Sequence, residues 1–365
     1  MKINLKYVIF TLVIWAVIFF VLNFASGFVS GNTYVHLEAV NAKLAKTTYG
    51  YFAPDQHKKI LFPGLEPYTV TIDAYGFRST GSEVDILSEE GKRARKILCV
   101  GDSITFGLFV DDEASYPYQI QSVFKEYGHG LDTVILNAGV GSSTVTDCLY
   151  YLKNKGLELY PDVVIMNFCP NDLPEMKREI PLYEKMIEEN IFSVFKTIKL
   201  MNFLRMFRSF EVQYKYKRYL KKIKNERVKQ ILEDQSKDIE DILYVAEYNE
   251  GSVVKDPFNK KIAGQWDEYL GYLDEIIKLL NEKKIRFIYI IYPDILTVFE
   301  KTKGYYQDIL VEFLTERKIE YLDLRPGFSR AKDQYLNFYN NPPRDFHLSA
   351  NGNKLVAAKL LNVLR

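Results

Sequence analysis

The sequence predicts an α/β fold in which a five-stranded parallel sheet is covered by helices on both faces. Three observations predict it. Five short runs rich in β-branched residues, at 97–100, 133–136, 163–168, 287–292 and 321–324, are apolar on both faces, as strands buried on two sides must be. Helical patterns separate them over 116–127, 146–157, 265–284 and 305–317, and 351–364 closes the chain. Polar clusters follow the runs or precede the last helix, and a doubly wound sheet gathers its reactive groups outside the carboxyl ends of its strands.

The whole-chain numbers narrow the class. At 365 residues one large core with an insertion fits. Lys+Arg 48 against Asp+Glu 47 leaves a net charge of +1, so nothing global favours nucleic acid. Aromatic content of 15% suits carbohydrate or lipid contact and equally a tightly packed core. Cys99, Cys148 and Cys169 fit neither a zinc site nor a disulfide framework, and read as free thiols. The histidines at 36, 57, 129 and 347 form no H-x-x-x-H pair. No metal and no cofactor are expected.

At the N-terminus Lys2 and Lys6 precede an uncharged stretch from Tyr7 to about Val29. At ~1.5 Å per residue a helix through it is long enough to cross a hydrocarbon core. Ala25-Ser26-Gly27 offers a cleavage point for the competing reading, a secretory signal peptide. The apolar run exceeds a typical signal core, so residues 1–30 are expected to be an uncleaved anchor. The lysines ahead of the span place the N-terminus in the cytoplasm and the remainder outside it; secretion after cleavage is the alternative.

Residues 31–70, punctuated by Pro54, Pro63-Gly64 and Pro67, read as a linker or lead-in. Residues 72–78 read as a short edge strand ending in a turn. Residues 71–365 are then one domain, interrupted by a helical insertion at about 173–263. That insertion carries Lys215, Lys217, Arg218, Lys221, Lys222, Lys224, Arg227 and Lys229, a solvated face or a lid for anionic lipid or an acidic glycan.

The candidate chemistry starts at Gly101-Asp102-Ser103-Ile104-Thr105-Phe106-Gly107, directly after the first run. A serine there emerges at the sheet's carboxyl edge as a helix begins, so its N–H and the helix's positive end can face a developing oxyanion. The flanking glycines permit a sharp turn. Asp-Ser after a strand is also a helix N-cap, so this triplet alone settles little. Asn137-Ala138-Gly139-Val140-Gly141-Ser142 follows the second run and Asn171-Asp172 the third. Arg344-Asp345-Phe346-His347-Leu348-Ser349 precedes the last helix.

With Ser first and Asp-His last, these clusters resemble the motif blocks of the SGNH (GDSL-like) hydrolases, in family order, across residues 70–365. The chain is most similar to membrane-anchored members, which also carry a Gly-Phe-Arg turn, here Gly76-Phe77-Arg78, and an acidic stretch before Tyr-Pro, here Asp111-Asp112-Glu113 and Tyr116-Pro117. The resemblance implies a flavodoxin-like sheet, Ser103 as nucleophile, His347 as its base and Asp345 as the carboxylate orienting the imidazole. It implies an oxyanion hole from the Ser103 N–H, a backbone N–H at Gly141 or Ser142, and the Asn171 amide.

Two departures accompany the likeness. The position the family usually gives to the oxyanion glycine is Ser142 here, with Gly141 just before it. The family's usual Asp-x-x-His spacing is Asp345-x-His347, and Arg344 occupies the position three before the histidine, where it cannot orient an imidazole. The expected activity is that of a serine esterase acting through an acyl-enzyme on an ester-bearing glycan or lipid of the cell envelope. Alternatives are a glycan O-acetyltransferase with the same site, a phospholipase-like lipid esterase, and a non-catalytic envelope or glycan assembly protein.

Overall fold

The computed structural model describes most of residues 37–364; residues 41–44, 61–65, 129–131, 171, 177–213, 215, 256–259, 331 and 344 lie outside the description. Of the first 36 residues it describes only 14, 15, 17, 18, 33 and 34.

Strands β1 (Thr33–Tyr34), β2 (Gln56–Ile60) and β3 (Tyr68–Ile72) form a small sheet, with β2 and β3 antiparallel. Strands β4 (Arg95–Gly101), β5 (Thr133–Gly139), β6 (Val163–Phe168), β7 (Arg286–Ile291) and β8 (Glu320–Asp323) form the main sheet. Its order is β5-β4-β6-β7-β8 with every pair parallel. That is the flavodoxin-like order, with its switch point between β4 and its two neighbours. The five runs predicted from apolar patterning are its five strands.

The cause is burial. Every residue of β5 and β6 is buried, and in β4 only the first is not. Helices α1 (Tyr116–Glu126), α2 (Val145–Asn154), α3 (Lys260–Glu282), α4 (Tyr305–Glu316) and α5 (Ala350–Leu364) fall where the 3.6-residue pattern predicts them. Four of them pack in pairs, α1 against α5 and α2 against α3, while α4 packs on β8.

Two expectations change. The stretch read as a lead-in contributes to the fold: β2 pairs with β3, and Val40, Tyr51, Phe52 and Ile60 enter the main core. Lys58 and Lys59 mask β2 in the sequence, because only its ends are buried. The edge strand expected from residue 72 ends there, and 73–78 is the turn that follows it. In the insertion, helices Glu226–Asp234 and Ile239–Lys255 are present, and Ile242, Leu243 and Ala246 of the second belong to the main core.

The expected membrane anchor lies almost wholly outside the described residues. Among the described residues no helix is long and apolar enough to cross a membrane.

Candidate active site

Ser103 stands at the exit of β4. Asp102 is the N-cap, its Oδ1 accepting from the Ile104 N–H at 3.0 Å. The helix that follows is one turn, Ser103–Phe106, ended by Gly107 at φ 82°. The N-cap reading of the Asp-Ser pair therefore holds for Asp102 and leaves Ser103 at the first helical position. The helix dipole invoked for this serine is a minor effect, because four residues align few peptide dipoles.

A buried polar network fixes the elbow. Asn167 Nδ2, on β6, donates to Asp102 Oδ1 at 3.1 Å, and Thr105 Oγ1 donates to Asn167 Oδ1 at 2.5 Å. Thr105 Oγ1 lies 3.1 Å from the Tyr116 hydroxyl, and the Tyr116 N–H donates to Asn353 Oδ1 on α5 at 3.1 Å. A Cβ on Gly101 would sit 2.3 Å from Asn167 Oδ1 and 2.5 Å from Thr105 Oγ1, so only glycine leaves room for this network. Apolar patterning exposed β6 but not the role of Asn167 within it. A polar residue inside an otherwise apolar strand was the available signal.

Asp345 and His347 lie on β10 (Asp345–Leu348), which pairs antiparallel with β9 (Tyr339–Asn341). This strand accounts for the short Asp-x-His spacing. Residues two apart on an extended strand share a face, so carboxylate and imidazole project together, while Phe346 between them meets the Tyr339 ring at 6.2 Å. Asp345 Oδ2 and Oδ1 lie 2.8 and 3.0 Å from His347 Nδ1, and Oδ1 also accepts from the His347 backbone N–H at 2.8 Å. On its other side His347 Nε2 lies 2.7 Å from Ser103 Oγ. Residues 244 positions apart are thus in hydrogen-bond contact. Ser349 and not Asp345 serves the last helix, its Oγ accepting from the Gly352 N–H at 3.3 Å.

Chemically, a carboxylate accepting from Nδ1–H leaves Nε2 with its lone pair toward the serine hydroxyl. Ser103 is 8% exposed and His347 half-buried, so the contact is reachable at the surface.

Residues 140–143 form a turn closed by the Ser143 N–H donating to Val140 O at 3.1 Å, with Ser142 at its third position and φ 65°. Type II turns require positive φ at that position, where glycine is the usual residue. Ser142 thus takes up a glycine-like conformation. The turn is held beside β4, since the Val140 N–H donates to Gly101 O at 3.0 Å. Asn171 and Arg344 lie outside the described residues; the neighbouring Asp172 Oδ2 accepts from the Cys169 N–H at 3.3 Å.

A cavity of about 70 Å³ has a lining that includes Ile104, Cys169, Pro170, Tyr292, Phe328 and Phe346. Ile104 directly follows Ser103 in the chain and Phe346 directly precedes His347, so the lining shares the elements that carry both residues.

Ester-bond hydrolysis is the chemistry this class of fold and site supports. The chain belongs to the GDSL-like Lipase/Acylhydrolase family, whose model matches residues 99–355, and it is an ester-bond hydrolase. Among solved structures it is similar to the acetyl xylan esterase AlAXEase, at 15% identity and a TM-score of 0.43 over 74% of this chain and 100% of that one. It is also similar to the acetylxylan esterase Axe2 from Geobacillus stearothermophilus, at 14% identity and a TM-score of 0.42 over 74% and 95%. A third is a putative lipolytic protein of G-D-S-L family from Desulfitobacterium hafniense DCB-2, at 12% and 0.39 over 73% and 98%. Comparison with curated proteins gives no match.

Proposed function

We propose that the protein is a serine esterase that cleaves a carboxylic ester of an envelope glycan or lipid through an acyl-enzyme on Ser103. The observation that carries this is the 2.7 Å separation of His347 Nε2 and Ser103 Oγ with Asp345 on the opposite ring nitrogen. Ser103 Oγ attacks the ester carbonyl as His347 Nε2 takes its proton. His347 returns that proton to the departing alkoxide, and the C–O bond of the ester breaks. Water, deprotonated by the same nitrogen, then releases the acid and restores the serine.

Negative charge on the tetrahedral oxygen is held by the Ser103 N–H, by a backbone N–H of the Gly141–Ser142 turn and by the Asn171 amide. Loss of one such donor costs about 100-fold or more in turnover. Asp345 stabilises the imidazolium and holds its tautomer. An N-terminal anchor with the catalytic domain outside the cytoplasm matches envelope substrates.

The test is p-nitrophenyl acetate with the full chain, followed by intact-mass analysis after rapid acid quench. An acetyl adduct confined to Ser103 is expected. Turnover without an adduct, unchanged in Ser103→Ala, would remove the assignment.

A further inference from the structure

Tyr68 and Arg78 precede the residues 99–355 that match the family, yet both reach the loop behind His347. Strand β3 lies at an edge of the small sheet. Its Thr69 N–H donates to Asp111 Oδ1 at 2.6 Å and its Thr71 N–H to Asp112 Oδ2 at 2.8 Å, so two loop carboxylates cap the strand's outer side. Arg78 follows in the next turn. Its Nη1 donates to Phe106 O at 2.8 Å and to Gly107 O, its Nη2 to Val110 O at 2.6 Å, and its Nε to Asp112 Oδ1 at 3.0 Å.

The loop held in this way carries Phe109 at φ 67°, a left-handed conformation that residues with a side chain seldom adopt. Such a conformation persists where its surroundings over-determine it, and it is found preferentially at functional sites. The Phe109 ring stands edge to face with the His347 imidazole, centroids 5.2 Å apart, and with the Tyr68 ring at 5.9 Å. Burial pushes the Tyr68 hydroxyl up to about 12; the Arg78 charge and a hydrogen bond with the Phe109 backbone oppose that rise, and the Asp345 charge adds to it.

We propose that Phe109 is a positioning residue that fixes the imidazole plane of His347, and that the N-terminal sheet, through Tyr68 and Arg78, fixes Phe109. The inference rests on His347 being the base of the reaction proposed above. Asp345 holds one end of the imidazole, at Nδ1. Rotation of the ring about that anchor would swing Nε2 away from Ser103 Oγ, and the Phe109 ring blocks this swing. The catalytic unit therefore begins upstream of the family-matched residues. The sequence held the clue in its Gly-Phe-Arg turn and acidic stretch, which the fold makes into two sides of one clamp.

The test uses the full chain with Phe109→Ala, Phe109→Tyr and Tyr68→Ala. The readouts are kcat and KM on a small soluble ester and the rate of labelling by a fluorophosphonate, which reports activation of the serine without ester binding. Misplacing a reacting group by about 1 Å costs roughly 100-fold. Phe109→Ala is therefore expected to lose roughly 10- to 100-fold in kcat and in labelling rate, with KM changed less than about threefold. Tyr68→Ala should lose in the same direction, and Phe109→Tyr, which keeps the ring, should retain most of both rates. If Phe109→Ala melts below the assay temperature, Phe109→Leu, which keeps bulk without a ring, takes its place. Wild-type kcat and labelling in these variants would overturn the proposal. Turnover and labelling that survive in Ser103→Ala would instead overturn the reading of the site.

Discussion

Arg78 and Asp112 form a buried ion pair, Nε to Oδ1 at 3.0 Å, that joins two sequence motifs 34 residues apart. Burial outweighs the guanidinium and pushes the Asp112 carboxyl above its ordinary value, as expected where removal from water competes with pairing. Arg78 is 1% exposed, and its side-chain donors reach three loop carbonyls besides the carboxylate. Arg78→Ala would strand both the charge and the carbonyls. It should destabilise the fold by about 3–5 kcal/mol, measured by denaturant unfolding. Arg78→Lys should recover little of this, since an ammonium lacks the planar fork. A loss below about 1 kcal/mol in Arg78→Ala would contradict this reading of the pair.

The turn after β5 makes a second prediction. Ser142 holds φ 65° although it bears a Cβ, and β-branched residues are genuine outliers there. Ser142→Gly should keep full activity, while Ser142→Val should lose about 1–2 kcal/mol of stability together with turnover. Thermal melts and kcat on p-nitrophenyl acetate check both. A fully active and stable Ser142→Val would show that the turn geometry is not required.

A third prediction concerns Asp73, which caps the Gly76-Phe77-Arg78 turn by accepting from the Tyr75 and Phe77 N–H groups, both at Oδ1 and 2.9 Å. Burial raises its carboxyl from 3.8 to about 6, against those hydrogen bonds. The folded protein therefore binds this proton more tightly than the unfolded chain does. The Asp73 contribution to stability falls as pH rises between these two values, by at most about 3 kcal/mol, and is flat above them. Asp73→Asn keeps the Oδ1 acceptor and removes the charge. It should be more stable than the wild type at pH 7.5, with the gap closing toward pH 4. A gap of equal size at both pH values would contradict the assignment.

The cavity lined by Ile104 and Phe346, chain neighbours of Ser103 and His347, makes a fourth. An engineered cavity of about 150 Å³ accepts benzene, so one of about 70 Å³ accommodates roughly half as many carbons. Acyl groups of about two to four carbons should give the highest kcat/KM among p-nitrophenyl esters, falling at least tenfold by the octanoate. A flat or rising series would show that the acyl group lies elsewhere.

Much of this molecule was legible in its sequence, for identifiable reasons. The strands of the main sheet announce themselves because burial on both faces leaves runs such as Val163–Phe168 almost without polar residues. Ser103 and His347 stand out because four polar clusters fall at strand exits and helix entries in one order, Ser first and Asp-His last, although each cluster alone also has a structural use. Strand β2 did not, since Gln56–Ile60 has buried ends around a charged middle. The two-residue spacing of Asp345 and His347 looked like a departure until β10 made both residues face one side. Phe109 and Tyr68 carry no local signal at all. Their role arises from ring contacts that exist only after β3 docks on the loop following Ser103.

The claim at the centre is the contact between Ser103 and His347, and the most direct measurement of it is hydrolysis of p-nitrophenyl acetate by the full chain, with Ser103→Ala and His347→Ala assayed alongside. Both variants should lose at least about 1,000-fold in kcat while melting at the wild-type temperature. Wild-type turnover in either folded variant would contradict it.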